Sequence, residues 1–396
     1  MDWSFLIRNK SSLNVTTDSR KVTSGSIFVA LKGEHFDGND FVEQAKQQGA
    51  EYVICGENAL RDLQDLARAW RRSLDIPVIG ITGTNGKTTT KELCAAVLST
   101  KYNLYYTQGN LNNQLGVPLT LLSITRAHEM AIVEMGASHP GDIRELVEIA
   151  EPTCGLITNV GRAHLQGFGS FQGVMRTKAE LYDWLVNHDG VIFRNDDNPY
   201  LQEMTYSVLK DRQPAHIVPY RTGVMPAGTH LVGEYNAENV SAAIRVGMHF
   251  GVSQEKALAA IRAYVPSNNR SQLMQTDKNT VVVDAYNANP TSMQAAIEAF
   301  SRQQSDLRSC YILGAMRELG NYSHLEHQNI VNMLLERKAD KVLLVGEEYK
   351  DTTAPYPVFD NVETLCEALQ KEPVTGYRIL LKGSRSNQLE KVIPLL

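Results

Sequence analysis

Short apolar runs recur along the chain and alternate with longer stretches whose apolar positions fall three and four residues apart. The runs lie at 26–31 (SIFVAL), 51–56 (EYVICG), 77–83 (PVIGITG), 130–136 (MAIVEMG), 154–161 (CGLITNVG), 190–196 (GVIFRND), 280–286 (TVVVDAY), 310–316 (CYILGAM), 341–346 (KVLLVG) and 378–384 (RILLKGS). Each is rich in β-branched residues and too short for a helix, so each predicts a strand. Segments between them, such as TTKELCAAVLST and PTSMQAAIEAF, carry the spacing of amphipathic helices. Strands that are apolar on both faces and separated by helices imply parallel sheets covered on both sides, so the fold class is α/β.

Two interruptions divide the pattern. An Arg-rich helical stretch ends at SLDIP just before residue 77, and YVPSNNRS at 264–271 breaks a helix before a new strand–helix series begins. A chain of 396 residues exceeds one ordinary core. Three domains are therefore expected, at 1–76, 77–265 and 266–396. The stretch 197–230, with Pro199, Pro214, Pro219 and Pro226, reads as an irregular connection over the surface.

Charge and composition narrow the function. Thirty-nine basic against 44 acidic residues leave a net charge of −5, which argues against a general nucleic-acid surface. No apolar run approaches the roughly 20 residues of a membrane span. The opening MDWSFLIRNKSS lacks the basic start and long apolar core of a secretory signal. Cys55, Cys94, Cys154, Cys310 and Cys366 form no C-x-x-C pair, which predicts free thiols in a reducing compartment and no zinc site. A cytoplasmic, monomeric protein is expected.

The candidate chemistry centres on VIGITGTNGKTTTKE, residues 78–92. A buried strand, a turn with Gly83 and Gly86, then Lys87-Thr88 opening a helix is the arrangement in which backbone N–H groups and a helix N-terminus bind phosphate. The loop is shorter than G-x-x-x-x-G-K-[ST], because Ile81 stands where the first glycine of that pattern would be. Lys87 would reach the terminal phosphates and the Thr88 hydroxyl would hold Mg²⁺. By contrast GFGSFQG at 167–173 has the wrong spacing for a dinucleotide turn and reads as a loop. Glu134 ends one strand, and Asn159 and His164 lie just beyond the next, where α/β sites collect. A metal cluster there needs oxygen ligands, which Glu134 supplies, whereas His164 is the less usual ligand for Mg²⁺. Lys178, in the helical GVMRTKAELYDWLV, reads from its own surroundings as a solvated lysine.

The set taken in order resembles the Mur ligases, ATP-dependent amide-forming enzymes of peptidoglycan synthesis. TGTNGKTTT looks like their form of the phosphate loop. The stretches 16–41, 108–122 (QGNLNNQLGVPLTLL), 134–170, 284–293 (DAYNANPTSM), 313–320 (LGAMRELG) and 380–390 extend the likeness over nearly the whole chain. The NLNN and DAYNANP stretches point to the branch that joins D-Ala-D-Ala to UDP-N-acetylmuramoyl-tripeptide, and argue against the tripeptide-forming and folylpolyglutamate branches. A nucleotide-driven motor or GTPase would leave the DSR and KGSR segments unexplained and lacks N-K-x-D. A non-catalytic nucleotide-sugar binder would not need the complete loop set.

The resemblance implies a role for each matching residue. Asp18, Ser19 and Arg20 would meet the uridine diphosphate end. Gly83, Thr84, Asn85, Gly86, Lys87, Thr88 and Thr89 would hold ATP, with Asn239 near the adenine and Arg270 and Asp284 reaching the nucleotide from the third domain. Thr88 and Glu134 would bind one Mg²⁺. His164 and Lys178 would serve a second, with Lys178 carbamylated. Asn110, Asn112, Asn113, Asn287, Asn289, Lys382, Ser384 and Arg385 would face the substrates. Ala315 departs from the aspartate expected in LGAMRELG, and 197–232 is short for the central domain.

Overall fold

All ten apolar runs are strands, because each supplies four or more consecutive residues that can be buried on both faces of a sheet. The computed structural model of the protein describes residues 2–34, 36–210, 216–267, 270–303 and 305–396. Its strands form three sheets. The first is small and parallel, in the order Val15–Thr16, Ile27–Val29, Tyr52–Ile54. The second has six parallel strands, in the order Leu104–Tyr106, Met130–Glu134, Val78–Thr82, Cys154–Ile157, Val191–Asn195, His216–Tyr220. The third runs Gln272–Gln275, Thr280–Asp284, Tyr377–Lys382, Arg308–Gly314, Lys341–Val345, Val358–Phe359, antiparallel only at Gln272–Gln275.

Helices cover both faces of the second sheet. Lys87–Leu98 and Asn236–His249 pack on one face through Leu93, Val97, Val240 and Val246. Asp142–Ala150, Phe171–Asn187 and Ala59–Arg72 pack on the other. Ala59–Arg72 follows the first sheet in sequence, yet Leu63, Leu66 and Trp70 are fully buried in the same cluster as Leu121 and Leu146. Its last turn is fastened by polar contacts as well. Arg71 donates to Ala150 O at 3.0 Å, Leu74 O at 3.0 Å and Glu151 O at 3.1 Å, the first and last being carbonyls at the end of Asp142–Ala150. A guanidinium there meets the negative end of that helix.

The stretch expected to be an irregular connection contains a helix and a strand, although residues 221–230 belong to neither. Pro199 opens the helix Pro199–Leu209, where a missing N–H costs nothing, and Asn198 caps it from Tyr200 N and Leu201 N. His216–Tyr220 then adds an edge strand to the second sheet, and an edge position tolerates Pro219. Of the four prolines used in that reading, Pro214 lies outside the described residues. The five cysteines are free, and Cys94, Cys154 and Cys310 are buried as small apolar side chains. Among the described residues, no helix is long and apolar enough to cross a membrane.

Replacing Arg71 by Leu leaves three carbonyls without their donor and is expected to destabilise the protein by ~3 kcal/mol. Urea denaturation of wild type and variant would measure this, and an unchanged midpoint would show the contact to be dispensable.

Candidate active site

The strand Val78–Thr82 lies between Met130–Glu134 and Cys154–Ile157, and the register pairs Ile81 with Glu134 and Thr82 with Ile157. The loop after Thr82 therefore emerges beside Glu134 on one side and Thr158 on the other. Its turn depends on two glycines. Gly83 has φ +148°, and a Cβ there would meet Thr158 Oγ1 at 1.9 Å; Gly86 has φ +78°, and a Cβ there would meet Asn239 Oδ1 at 2.4 Å. Gly86 leads directly into the helix Lys87–Leu98, whose free N–H groups open onto a large cavity.

That cavity, about 1090 Å³, is lined by Thr84 to Thr89, by Asn110, Asn112 and Asn113, and by Glu134, His164 and Asn239. From the third sheet and its loops come Arg270, Asp284, Asn287, Asn289, Lys382, Ser384 and Arg385. So most residues singled out in the sequence face one space.

Glu134 forms its floor. It is 1 % exposed, and it accepts from Thr88 Oγ1 at 2.9 and 3.1 Å and from Asn112 Nδ2 at 2.9 Å. Lys91 Nζ stands 3.9 Å from Glu134 Oε2 and donates to Thr107 O at 2.6 Å. Lys87 donates to Gly83 O at 2.8 Å and Thr84 O at 3.0 Å, so it rests folded over its own loop. Burial is the main reason its pKa is pushed down to about 8; Glu134 opposes that shift and Arg270 adds to it. Converging hydroxyl and carboxylate oxygens from Thr88 and Glu134 are a donor set that suits Mg²⁺.

Asn239 is wedged beneath Gly86, with its Oδ1 accepting from Thr90 Oγ1 at 2.9 Å and its Nδ2 donating to Asn236 at 3.0 Å. Asn113 accepts from Gly116 N, at the start of the helix Gly116–Leu122, at 2.8 Å. In the third sheet Asp284 and Lys382 are register partners, and Lys382 Nζ donates to Asp284 Oδ2 at 2.5 Å and to Asn287 O at 3.2 Å. Asn289 caps the helix Pro290–Arg302, and its side-chain amide exchanges hydrogen bonds with Asn85 of the phosphate loop at 2.7 and 3.4 Å. His164 pairs through Nδ1 with Glu318, which sits in the LGAMRELG loop. The hydrogen bond to His164 is also the main reason the Glu318 carboxyl lies below its usual range. Both residues have left-handed backbone, at φ +50° and +63°.

Two groups stand elsewhere. Asp18, Ser19 and Arg20 do not line this cavity; Arg20 grips Asp18 at 2.8 and 2.9 Å, which holds the Asp18 carboxyl down at about 2. Lys178 is not solvated, as its helical spacing suggested, but 2 % exposed. Its ammonium lies 5.9 Å from the Phe168 ring centroid, and among the described residues no carboxylate pairs with it. Burial, followed by Lys87, drives its pKa well below that of an ordinary lysine. Ala315 is fully buried, and a side chain at Gly346 would meet Ala315 Cβ at 2.5 Å and Glu348 Oε2 at 3.0 Å. The Glu348 carboxylate, paired with Arg317, thus stands beside the position where an aspartate was expected. Lys91, Thr107, Tyr286 and Glu318 were not singled out in the sequence. Only Lys91 left a trace there, as a second lysine one turn after Lys87 in the phosphate-loop helix.

A phosphate loop on a parallel sheet, facing a cavity completed by a second α/β sheet, defines a nucleotide-dependent enzyme of the ligase type. The chain belongs to the Mur ligase family. Family models match residues 13–88 (Mur ligase family, catalytic domain), 81–217 (Mur ligase middle domain) and 269–385 (Mur ligase, glutamate ligase domain). The UDP-N-acetylmuramoyl-tripeptide–D-alanyl-D-alanine ligase of Bacillus subtilis is 33% identical, over 96% of this chain and 92% of its own. Among solved structures, MurF of Acinetobacter baumannii superposes with a TM-score of 0.83 at 28% identity, covering 96% of this chain and 92% of its own. The MurF ligase of Thermotoga maritima in complex with ADP gives 0.85 at 26% identity, with 98% of both chains covered.

Replacing Gly86 by Ala forces a Cβ into Asn239 and a left-handed backbone that itself costs roughly 1–2 kcal/mol. ADP affinity is expected to fall at least about tenfold. Titration calorimetry checks this, and wild-type affinity in the variant would mean that the loop rearranges freely.

Proposed function

We propose that the protein is an ATP-dependent ligase that joins D-Ala-D-Ala to UDP-N-acetylmuramoyl-tripeptide, giving the pentapeptide precursor of peptidoglycan. The observation that carries this is the single cavity shared by the phosphate loop with Glu134 and by the Asn287–Asn289 stretch. In this reading residues 1–76 hold the uridine diphosphate end through Asp18, Ser19 and Arg20. Residues 77–265 bind ATP, and residues 266–396 present the acceptor dipeptide. The protein acts as a monomer in the cytoplasm.

A carboxylate is a poor electrophile, so the γ-phosphoryl group of ATP is first transferred to the terminal carboxylate of the tripeptide. The amine of D-Ala-D-Ala attacks the resulting acyl phosphate, and phosphate leaves from a tetrahedral intermediate. Lys87 moves from the carbonyls of Gly83 and Thr84 to the phosphate oxygens, while the loop amides and the helix N-terminus take the remaining charge. Thr88 and Glu134 would hold Mg²⁺, which when bound would supply positive charge against the triphosphate. The Asn85–Asn289 pair holds the acceptor side against the loop, which keeps water from the acyl phosphate.

Lys178 is the residue we assign to carbamylation. A buried amine driven toward its neutral form is the nucleophile that CO₂ requires, and N–C bond formation with loss of a proton turns it into an anion. That anion and His164 would be the groups that hold a second cation. The unmodified amine, neutral in this setting, would bring neither negative charge nor oxygen donors to that site.

Phosphate release from MgATP is expected only when both UDP-N-acetylmuramoyl-tripeptide and D-Ala-D-Ala are present, with a pentapeptide product by mass. Release with neither acceptor nor tripeptide required would sink the assignment. Lys178→Ala is expected to lower kcat by ~10²-fold or more. Labelled CO₂ should give a carbamate carbon signal in wild type and none in that variant; full activity of the variant would end the carbamate proposal.

A further inference from the structure

Tyr286 carries two cations. The Arg270 guanidinium lies 3.8 Å from its ring centroid and that of Arg385 lies 5.4 Å from it. Arg270 comes from the segment entering the third sheet, Arg385 from the loop after Tyr377–Lys382, and all three side chains line the cavity. Neither guanidinium has a carboxylate partner among the described residues. The nearest candidate in the wall, Asp284, is taken by Lys382 at 2.5 Å. Arg270 Nε is buried without a hydrogen-bond acceptor, and so is the Ser384 hydroxyl beside Arg385.

Two like charges on one wall repel each other, and among the described residues no anion of the protein offsets either. The negative face of an aromatic ring is what remains to attract each cation. An aliphatic residue at 286 could not do this, and a carboxylate would satisfy the arginines and withdraw them from any ligand.

We infer that Tyr286 is a positioning residue which holds Arg270 and Arg385 together, unpaired, as a seat for two anions: the phosphates of the nucleotide on Arg270 and a substrate carboxylate on Arg385. The ring orients both without neutralising either. Occupation of one guanidinium by its anion reduces the repulsion felt by the other, so nucleotide and carboxylate ligand are coupled through the ring. The identity of the carboxylate ligand rests on the ligase reading above, whereas the nucleotide half does not.

The test uses the full-length protein with Tyr286→Phe, Tyr286→Leu and Tyr286→Gln, the last standing in should the Leu variant fail to fold. ATP binding is read by calorimetry, and thermal midpoints establish that the variants fold. Tyr286→Phe, which keeps the π face, is expected to restore ATP affinity to within about twofold of wild type, whereas Leu or Gln weakens it about fivefold to tenfold. In steady state the Leu variant should raise KM for both ATP and D-Ala-D-Ala with a smaller change in kcat. Adding Arg385→Gln to it should cost less than Arg385→Gln costs alone. Wild-type ATP affinity in folded Leu and Gln variants, or effects at 286 and 385 that simply multiply, would overturn the inference. Wild-type protein that binds ATP but makes no pentapeptide would strike the ligase assignment instead, and the calorimetric comparison would still decide the role of Tyr286.

Discussion

The arrangement depends on burying one carboxylate. Glu134 ends a central strand at 1 % exposure, and an unpaired carboxylate there would cost several kcal/mol. Three separate pieces of chain hold this residue, two of them through the carboxylate and one through its backbone amide. Thr88 comes from the first turn of the phosphate-loop helix, Asn112 from the NLNN stretch, and Thr107 accepts from the Glu134 amide at 3.0 Å. Fixing the carboxylate therefore fixes where the loop helix begins and where the asparagine loop runs. A cation held by Glu134, as proposed, would find the carboxylate oxygens already fixed in place.

Parallel sheets explain why so much of this was legible in the sequence. A strand buried on both faces must be apolar at every position, so PVIGITG and MAIVEMG announce themselves, and so does the glycine–lysine turn between strand and helix. Val15–Thr16 and Val358–Phe359 escaped because two residues cannot set up a pattern. His216–Tyr220 escaped because an edge strand may be polar and contain proline. Lys178 was misplaced for a different reason. Helical periodicity gives a face, but whether that face meets solvent or a neighbouring loop depends on tertiary packing, here the short helix that carries Phe168. The family resemblance named the residue; its own surroundings in the sequence could not.

The contacts between the second and third sheets involve residues far apart in the chain, and no local signal marks them. Asn85 meets Asn289, His164 meets Glu318, and Arg162 bonds Glu326 at 3.2 Å and, through its amide, Thr291 at 3.0 Å. Each joins the rim of the phosphate loop or the segment after Cys154–Ile157 to a helix or loop start in the third sheet's layer. They are polar and few, as expected of an interface that opens and closes rather than one that folds as a single core. Glu318 and His164 meet through backbone conformations that non-glycine residues avoid, which places strain at the contact that must form for both halves of the site to share a cavity.

Four lysines in and around the site show that partner, not residue type, decides what a lysine does. Lys382 has Asp284 at 2.5 Å and is a fixed structural cation. Lys91 is fully buried and has Glu92 at 3.0 Å and the Thr107 carbonyl, so its charge is spent inside the protein. Lys87 has only the dipoles of two loop carbonyls, a weak hold that phosphate oxygens can replace. Lys178 has an aromatic ring and, among the described residues, no anion. Burial without an anion is tolerable only if the amine gives up its proton, and a neutral amine is what carbamylation consumes. The same absence of a partner that makes Lys178 costly as an ammonium ion thus favours the neutral amine on which the proposed carbamylation depends.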